Sequence, residues 1–124
     1  MRVEQLYNDL VSFGFKPWMD KKDILPGEQW KSSIQKAIRN SDFFLACLST
    51  RSVSKRSYIQ IEFKDALKIW EEKLRDDIYL IPVRLDECNV PEDFRHLQWV
   101  DIFEPSGWER LLKAIQVGIE RRRT

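Results

Sequence analysis

The sequence is poor in the residues that form metal centres and covalent cross-links. It contains one histidine, His96, and two cysteines, Cys47 and Cys88, in 124 residues. Two cysteines without zinc-motif spacing indicate neither a disulfide framework nor a metal site, and an isolated histidine adds no ligand set. We therefore expect no metal, and the cysteine usage favours a reducing, cytoplasmic location.

The sequence also lacks a surplus of charge and a long hydrophobic run. Its 21 basic residues are balanced by 20 acidic ones, which does not favour nucleic acid or an anionic membrane as a partner. The longest apolar run, residues 43–48, is far too short to span a bilayer, and the first residues show no signal-peptide pattern. The length predicts a single domain over residues 1–124.

What the sequence does contain is an alternation of helix and strand patterns. Apolar residues at helical spacing predict helices over residues 3–11, 28–38, 59–74 and 108–119. Short apolar segments predict strands over residues 15–20, 43–48, 78–85 and 98–102, the first at a sheet edge because Pro17 cannot donate a hydrogen bond. The pattern predicts an α/β fold, a three-layer open parallel sheet with helices on both faces. Parallel units start from a strand, yet this chain opens on a helix, so we expect the first strand to be absent.

Ligands of open parallel sheets bind beyond the carboxyl ends of the strands, where the loops 20–27, 49–57 and 86–97 are expected. Glu62 lies in the helix that follows the middle loop, and Tyr58 precedes it by one turn on the same face. An aromatic ring beside a carboxylate can stack on a base or a pyridinium while the carboxylate stabilises developing positive charge. The same spacing also fits a glutamate at the solvated edge of an apolar stripe, and Trp18 fits simple packing as well as ligand contact.

Several segments together resemble one family. Residues 15–30, FKPWMDKKDILPGEQW, look like the second strand and following loop of bacterial TIR (Toll/interleukin-1 receptor) domains. Residues 40–49, NSDFFLACLS, are similar to the family's third strand, and residues 57–66, with Tyr58 and Glu62, resemble its signature helix. The segments IYLIPVRL and QWVD continue the match. The resemblance runs nearly end to end and implies the flavodoxin-like TIR fold.

The resemblance also implies an activity. Many bacterial and plant members cleave the nicotinamide–ribose bond of NAD+, and the catalytic glutamate of their signature helix corresponds to Glu62. Tyr58 stands where most members have tryptophan. NAD+ would be a substrate rather than a cofactor, bound by Tyr58, Ser49, Trp18 and Asp20.

The same resemblance leaves a non-catalytic function open. Other members, chiefly animal adaptors, act only by assembling with further TIR domains, and the usual assembly loop corresponds to Leu25, Pro26 and Gly27. The family's first strand and its polar loop help to hold the nucleotide, and this sequence starts after both. We therefore expect an N-terminally truncated TIR domain in which the missing strand belongs to a longer chain or comes from a neighbouring one.

Two other classes of protein are alternatives to a TIR domain. A nucleoside deoxyribosyltransferase-like enzyme also uses a glutamate on a related fold, so it remains a rival. A phosphoacceptor receiver domain is disfavoured, because it needs an aspartate at the end of the middle strand, where this chain has Leu48, Ser49 and Thr50.

Overall fold

The computed structural model describes residues 3–19, 23–50, 68, 72 and 78–123. In that part of the chain the secondary structure consists of helices α1 (Val3–Ser12), α2 (Trp30–Asn40) and α3 (Gly107–Arg123), strands β1 (Phe44–Leu48), β2 (Leu80–Arg84) and β3 (Val100–Asp101), and a 3₁₀ turn (Glu92–Phe94). Of the predicted helix 59–74, Lys68 and Glu72 are described, and both are helical and exposed. No helix within the described residues is long and apolar enough to cross a membrane.

The three strands form a parallel sheet in the order β1–β2–β3. Leu48 pairs with Arg84, and Val83 pairs with Val100, so the carboxyl ends of all three strands lie at one edge. This confirms the predicted open parallel sheet. Within the described strands β1 pairs only with β2. The expectation of a missing first strand, supplied by a longer chain or by a neighbouring one, stays a prediction.

Helices cover both faces of the sheet, as the sequence predicted. On one face α2 packs against alternate strand residues, in a cluster that includes Ile34, Ile38, Ala46, Leu48 and Leu80. On the other face α1 and α3 pack against the strand residues that point to that side. This second cluster includes Leu6, Leu10, Ile81, Val83 and Leu111. Because successive strand residues point to opposite faces, two layers of helix can be packed against one five-residue strand.

Helix α1 buries a narrow stripe of side chains. Leu6 and Leu10 are buried, whereas Val3 and Val11 are 36% and 50% exposed. The helix ends at Ser12, and Gly14 follows with φ +89, a left-handed conformation that glycine adopts without strain. The helix thus ends just before this glycine, and its buried residues are Leu6 and Leu10.

The predicted strand over residues 15–20 is wrong for residues 15–19, which lie outside the sheet, while Asp20 lies outside the described residues. A strand needs a neighbour to accept and donate its backbone hydrogen bonds, whereas two N–H groups of this segment donate to local acceptors. The N–H of Phe15 donates to the Leu10 carbonyl (3.1 Å), and the N–H of Met19 donates to the Asp23 carboxylate (2.8 Å). Pro17 has no N–H to offer a sheet.

Strand β3 is shorter than the predicted strand over residues 98–102. Pro82 in β2 explains why β3 begins only at Val100. The Leu85 N–H donates to the Leu48 carbonyl, so odd-numbered residues of β2 bond to β1 and even-numbered ones face β3. The Ile102 N–H accordingly donates to the Arg84 carbonyl (3.1 Å). Pro82, two residues earlier, faces the same side without an N–H, so the ladder cannot continue towards residue 98.

Candidate functional site

The carboxyl edge of the sheet is held by a link between Thr50, which follows β1, and Asp86, which follows β2. Thr50 is helical, so the predicted loop 49–57 is wrong at this residue. Both the backbone N–H and the hydroxyl of Thr50 donate to Oδ1 of Asp86, each at 2.9 Å. We call this pair the edge clamp. It lies just beyond the last ladder bond, from the Leu85 N–H to the Leu48 carbonyl at 2.7 Å. The strand register thus places Asp86 beside the start of the 49–62 stretch.

A second link joins the ends of β2 and β3. The Arg84 guanidinium forms a two-pronged ion pair with Asp101, with Nε to Oδ1 at 2.6 Å and Nη2 to Oδ2 at 2.8 Å. Its Nη1 also donates to the Cys88 carbonyl at 2.9 Å, which holds the loop after β2. The rings of Trp99 and Phe103 lie 6.0 and 5.7 Å from the guanidinium carbon, within the range of cation–π attraction.

These contacts set the charge states at the edge. The hydrogen bonds from Arg84 hold the pKa of Asp101 below its ordinary value, and the same bonds raise the pKa of Arg84. Burial raises the pKa of the Cys88 thiol, and the charge of Asp86 adds to the rise. Cys88 is therefore a protonated thiol at neutral pH and not a nucleophile. Among the described residues no group of three or more His, Cys, Asp and Glu could hold a metal ion.

The residues predicted to do chemistry fall into two groups. Glu62, Tyr58 and Asp20 lie outside the described residues. Ser49 directly follows β1 and is half-buried at the carboxyl edge, where the sequence placed it. Its role in binding stays a prediction.

Trp18 lies in a different setting from Ser49. It is 38% exposed and lines an open cleft of about 320 Å³ against α2. The other residues that line this cleft all come from the segment 23–41: Asp23, Glu28, Ser33, Lys36, Ala37, Asn40 and Ser41. The cleft thus brings Trp18 together with α2 and does not include Ser49, and binding of substrate by Trp18 stays a prediction.

The predicted assembly loop is a closed turn with an apolar tip. Leu25 is 65% exposed, and Gly27 has φ +93, which favours glycine at this position. The Leu25 N–H donates to the Glu28 carboxylate (2.7 Å), while the Glu28 N–H donates to the Leu25 carbonyl (3.0 Å). Glu28 was predicted in the first turn of a helix, and this is wrong because α2 begins at Trp30. Its carboxylate instead braces the turn before the helix.

Sequence reasoning missed both links at the carboxyl edge, although each leaves a signal. Arg84 and Asp101 are opposite charges at the ends of adjacent strands, a favourable cross-strand pair once the register is known. Thr50 and Asp86 each lie two residues beyond a strand end, where parallel strands bring loops together. Neither signal can be used before the strand order and register are fixed.

Comparison with known proteins agrees with this architecture. The sequence model of a family described as "TIR domain" matches residues 1–115 of the chain. Among solved structures, the chain is similar to the TIR domain of the Toll-related receptor TRR-2 from the lower metazoan Hydra magnipapillata, with a TM-score of 0.70 and 24% identity. That match covers 92% of this chain and 86% of the Hydra chain. No curated protein matches the sequence.

Proposed function

We propose that this chain, which belongs to the TIR domain family, cleaves NAD+ at the nicotinamide–ribose bond. Members of the family are signalling and interaction modules. The products are nicotinamide and linear or cyclic ADP-ribose, and self-association with other TIR domains activates the reaction. Glu62 is the catalytic residue in this proposal and Tyr58 is its stacking partner. Ser49, Trp18 and Asp20 contribute to binding of the substrate.

One structural observation carries the proposal. The 49–62 stretch leaves the sheet at the carboxyl edge, where Ser49 follows β1 and Thr50 is bonded to Asp86 beyond β2. Open parallel sheets bind their ligands at this edge. Tyr58 and Glu62 follow on the same stretch with a spacing of four residues, which predicts that both side chains share one face of a helix.

The reaction needs only one carboxylate. Most glycosidases use two, because the leaving oxygen has to be protonated. Nicotinamide leaves NAD+ as a neutral molecule from a ring that is already cationic, so no general acid is required. What remains is an oxocarbenium-like centre on the ribose, which a carboxylate about 4 Å away stabilises by about 4 kcal/mol at an effective dielectric of 20. That free energy corresponds to about three decades in rate.

The test is nicotinamide release from NAD+ at high protein concentration, measured for the parental protein and for Glu62→Gln. We expect the substitution to lower the rate by about a thousandfold, since the neutral amide cannot balance the positive charge of the transition state. Glu72→Gln is the matched control, because Glu72 is an exposed helical glutamate ten residues further along the chain. Near-parental activity of Glu62→Gln would show that the catalytic assignment is wrong.

The same assay separates the rival reaction class. Deoxynucleosides are incubated with the protein in place of NAD+, and release of the free base is measured. Cleavage of deoxynucleosides without cleavage of NAD+ would favour a deoxyribosyltransferase-like enzyme.

A second candidate function is supported by the assembly loop. The exposed Leu25 at the tip of a hydrogen-bonded turn offers an apolar contact to another protein at little entropic cost, because the turn is already ordered. A module that acts only through such contacts has no need of Glu62 or Tyr58. Self-association without nicotinamide release would therefore favour this non-catalytic function.

A further inference from the structure

The edge clamp joins Thr50, which is helical, to the loop that follows β2. Asp86 accepts two hydrogen bonds from Thr50 on a single carboxylate oxygen, one from the backbone and one from the side chain. An ionised acceptor forms stronger hydrogen bonds than a neutral one. The bond to the backbone N–H fixes where the chain leaves β1, and the bond to the hydroxyl fixes the side-chain rotamer of Thr50.

The position of Asp86 is itself fixed from the sheet. Arg84, two residues earlier, pairs with Leu48 in the register and is bonded to Asp101, so β2 is held from both sides. The Cys88 N–H donates to the Asp86 carbonyl (2.9 Å), which shapes the turn immediately after β2. Asp86 is thus a rigid point from which the loop after β1 can be positioned.

The position of Thr50 matters because the chain continues from it to the proposed catalytic residues. Tyr58 and Glu62 come eight and twelve residues after Thr50. Because a displacement grows with distance along the chain, a change in the direction in which the chain leaves β1 shifts a group twelve residues further on. A catalytic group displaced by about 1 Å can lose about a hundredfold in rate.

We propose that Asp86 is a positioning residue for cleavage of NAD+, acting through Thr50 to fix the start of the stretch that carries Tyr58 and Glu62. This rests on the function proposed above. Asp86 itself makes no contact with the substrate in this proposal, and what it supplies is a hydrogen-bond acceptor.

Both members of the clamp are exposed, which makes the proposal testable without unfolding the protein. Removing either side chain leaves no buried polar group unpaired and no cavity in the core. A purely structural contact of this kind would change the rate of the reaction little. A loss of kcat with an unchanged melting temperature is therefore the informative result.

The experiment compares kcat and KM for NAD+ in four variants. We expect Asp86→Ala, which removes both bonds, to lower kcat by about tenfold, and Thr50→Val, which removes one, to lower it by about threefold. Asp86→Asn and Thr50→Ser keep the acceptor and the hydroxyl, so we expect kcat within about twofold of the parental value. Glu87→Ala, which removes an exposed acid next to Asp86, is the control for a general effect of charge and should leave kcat unchanged.

The double variant tests whether Asp86 acts through Thr50. Asp86→Ala with Thr50→Val should be no slower than Asp86→Ala alone, because the bonds that the second substitution removes are already absent. Additive losses would overturn the proposal. So would parental kcat in Asp86→Ala, or an Asp86→Asn variant as slow as Asp86→Ala, since the latter would assign the effect to charge at the reacting centre.

The experiment distinguishes a wrong positioning role for Asp86 from a wrong assignment of NAD+ cleavage. If the parental protein releases nicotinamide and Asp86→Ala does so equally fast, the function stands and the positioning role is wrong. If the parental protein releases none, the proposed reaction is wrong, and amide hydrogen exchange of peptides covering residues 50–62 decides the clamp. Faster exchange in Asp86→Ala than in Asp86→Asn supports the clamp, and equal exchange rates overturn it.

Discussion

Tyr79 links the sheet to α2 through one buried hydroxyl. Its ring is 1% exposed, and its hydroxyl donates to the Ile38 carbonyl at 2.9 Å, near the end of the helix. Burial raises the pKa of this phenol to about 12, and the nearby charge of Arg122 partly opposes the rise. The phenol therefore stays protonated in the folded protein at pH values where a solvated tyrosine ionises.

Tyr79→Phe should lower the free energy of unfolding by about 1 kcal/mol at pH 7, because the bond to the Ile38 carbonyl is lost. A folded pKa above the unfolded value of 10.0 contributes stability that is fully present below pH 10 and is lost as the pH rises towards about 12. The difference between the parental protein and the phenylalanine variant should therefore shrink over that interval. Urea unfolding from pH 8 to 11.5 measures it, and a difference that stays constant would contradict the prediction.

Asp101 gives the opposite dependence on pH. Its pKa is held below the ordinary 3.8, chiefly by the hydrogen bonds from Arg84, so its contribution to stability is complete above about pH 4 and falls as the pH drops through the folded value. Asp101→Asn should cost about 1 kcal/mol at pH 7, since this ion pair is only partly shielded from water. As the pH falls below 4, the gap to the parental protein should narrow. Chemical unfolding at pH 7 and at pH 2 measures the gap, and a gap of equal size at both pH values would contradict the prediction.

Among the elements, the turn that carries Leu25 is suited to a contact with another domain. Its two reciprocal hydrogen bonds with Glu28 hold an apolar tip outward, so binding orders few additional groups. Leu25→Ala should raise the dissociation constant for self-association by about tenfold through loss of apolar contact. Analytical ultracentrifugation over a range of concentrations measures the constant.

Matched variants separate the tip of the turn from its brace. Val11→Ala removes another exposed apolar side chain, on α1, and should leave self-association unchanged. Glu28→Ala should weaken self-association because the turn loses one of its two closing bonds, whereas Glu28→Gln keeps the acceptor and should not. If Val11→Ala weakens self-association as much as Leu25→Ala, the contact is not specific to this turn.

At the scale of the whole molecule, the sequence predicted the helices and strands whose apolar pattern lies within their own residues. α2 shows its helical period in Ile34 and Ile38, and both are buried. β1 and β2 are short, largely apolar runs, and both are strands in a parallel sheet. In α2 the periodicity alone indicates which side faces the core, and in the strands the apolar run indicates burial on both faces, so no knowledge of a neighbour is needed.

The predictions failed where the outcome depends on a partner elsewhere in the chain. Residues 15–19 have the composition of a strand, but the N–H groups of Phe15 and Met19 donate to local acceptors. Glu28 likewise turns back to Leu25 instead of entering α2. The candidate site divides in the same way. The position of Ser49 at the carboxyl edge followed from strand order, while the bonds from Thr50 to Asp86 depend on register, which no single segment encodes.

Pro82 has a consequence for how this sheet meets other chains. Because its missing N–H limits β3 to two residues, the outer edge of β3 offers very few backbone groups to an incoming strand. Long exposed edges are templates for aggregation, and natural proteins often shorten them. The proline therefore protects this side of the sheet against uncontrolled growth by added strands, in a protein whose proposed activity depends on controlled association with copies of its own kind.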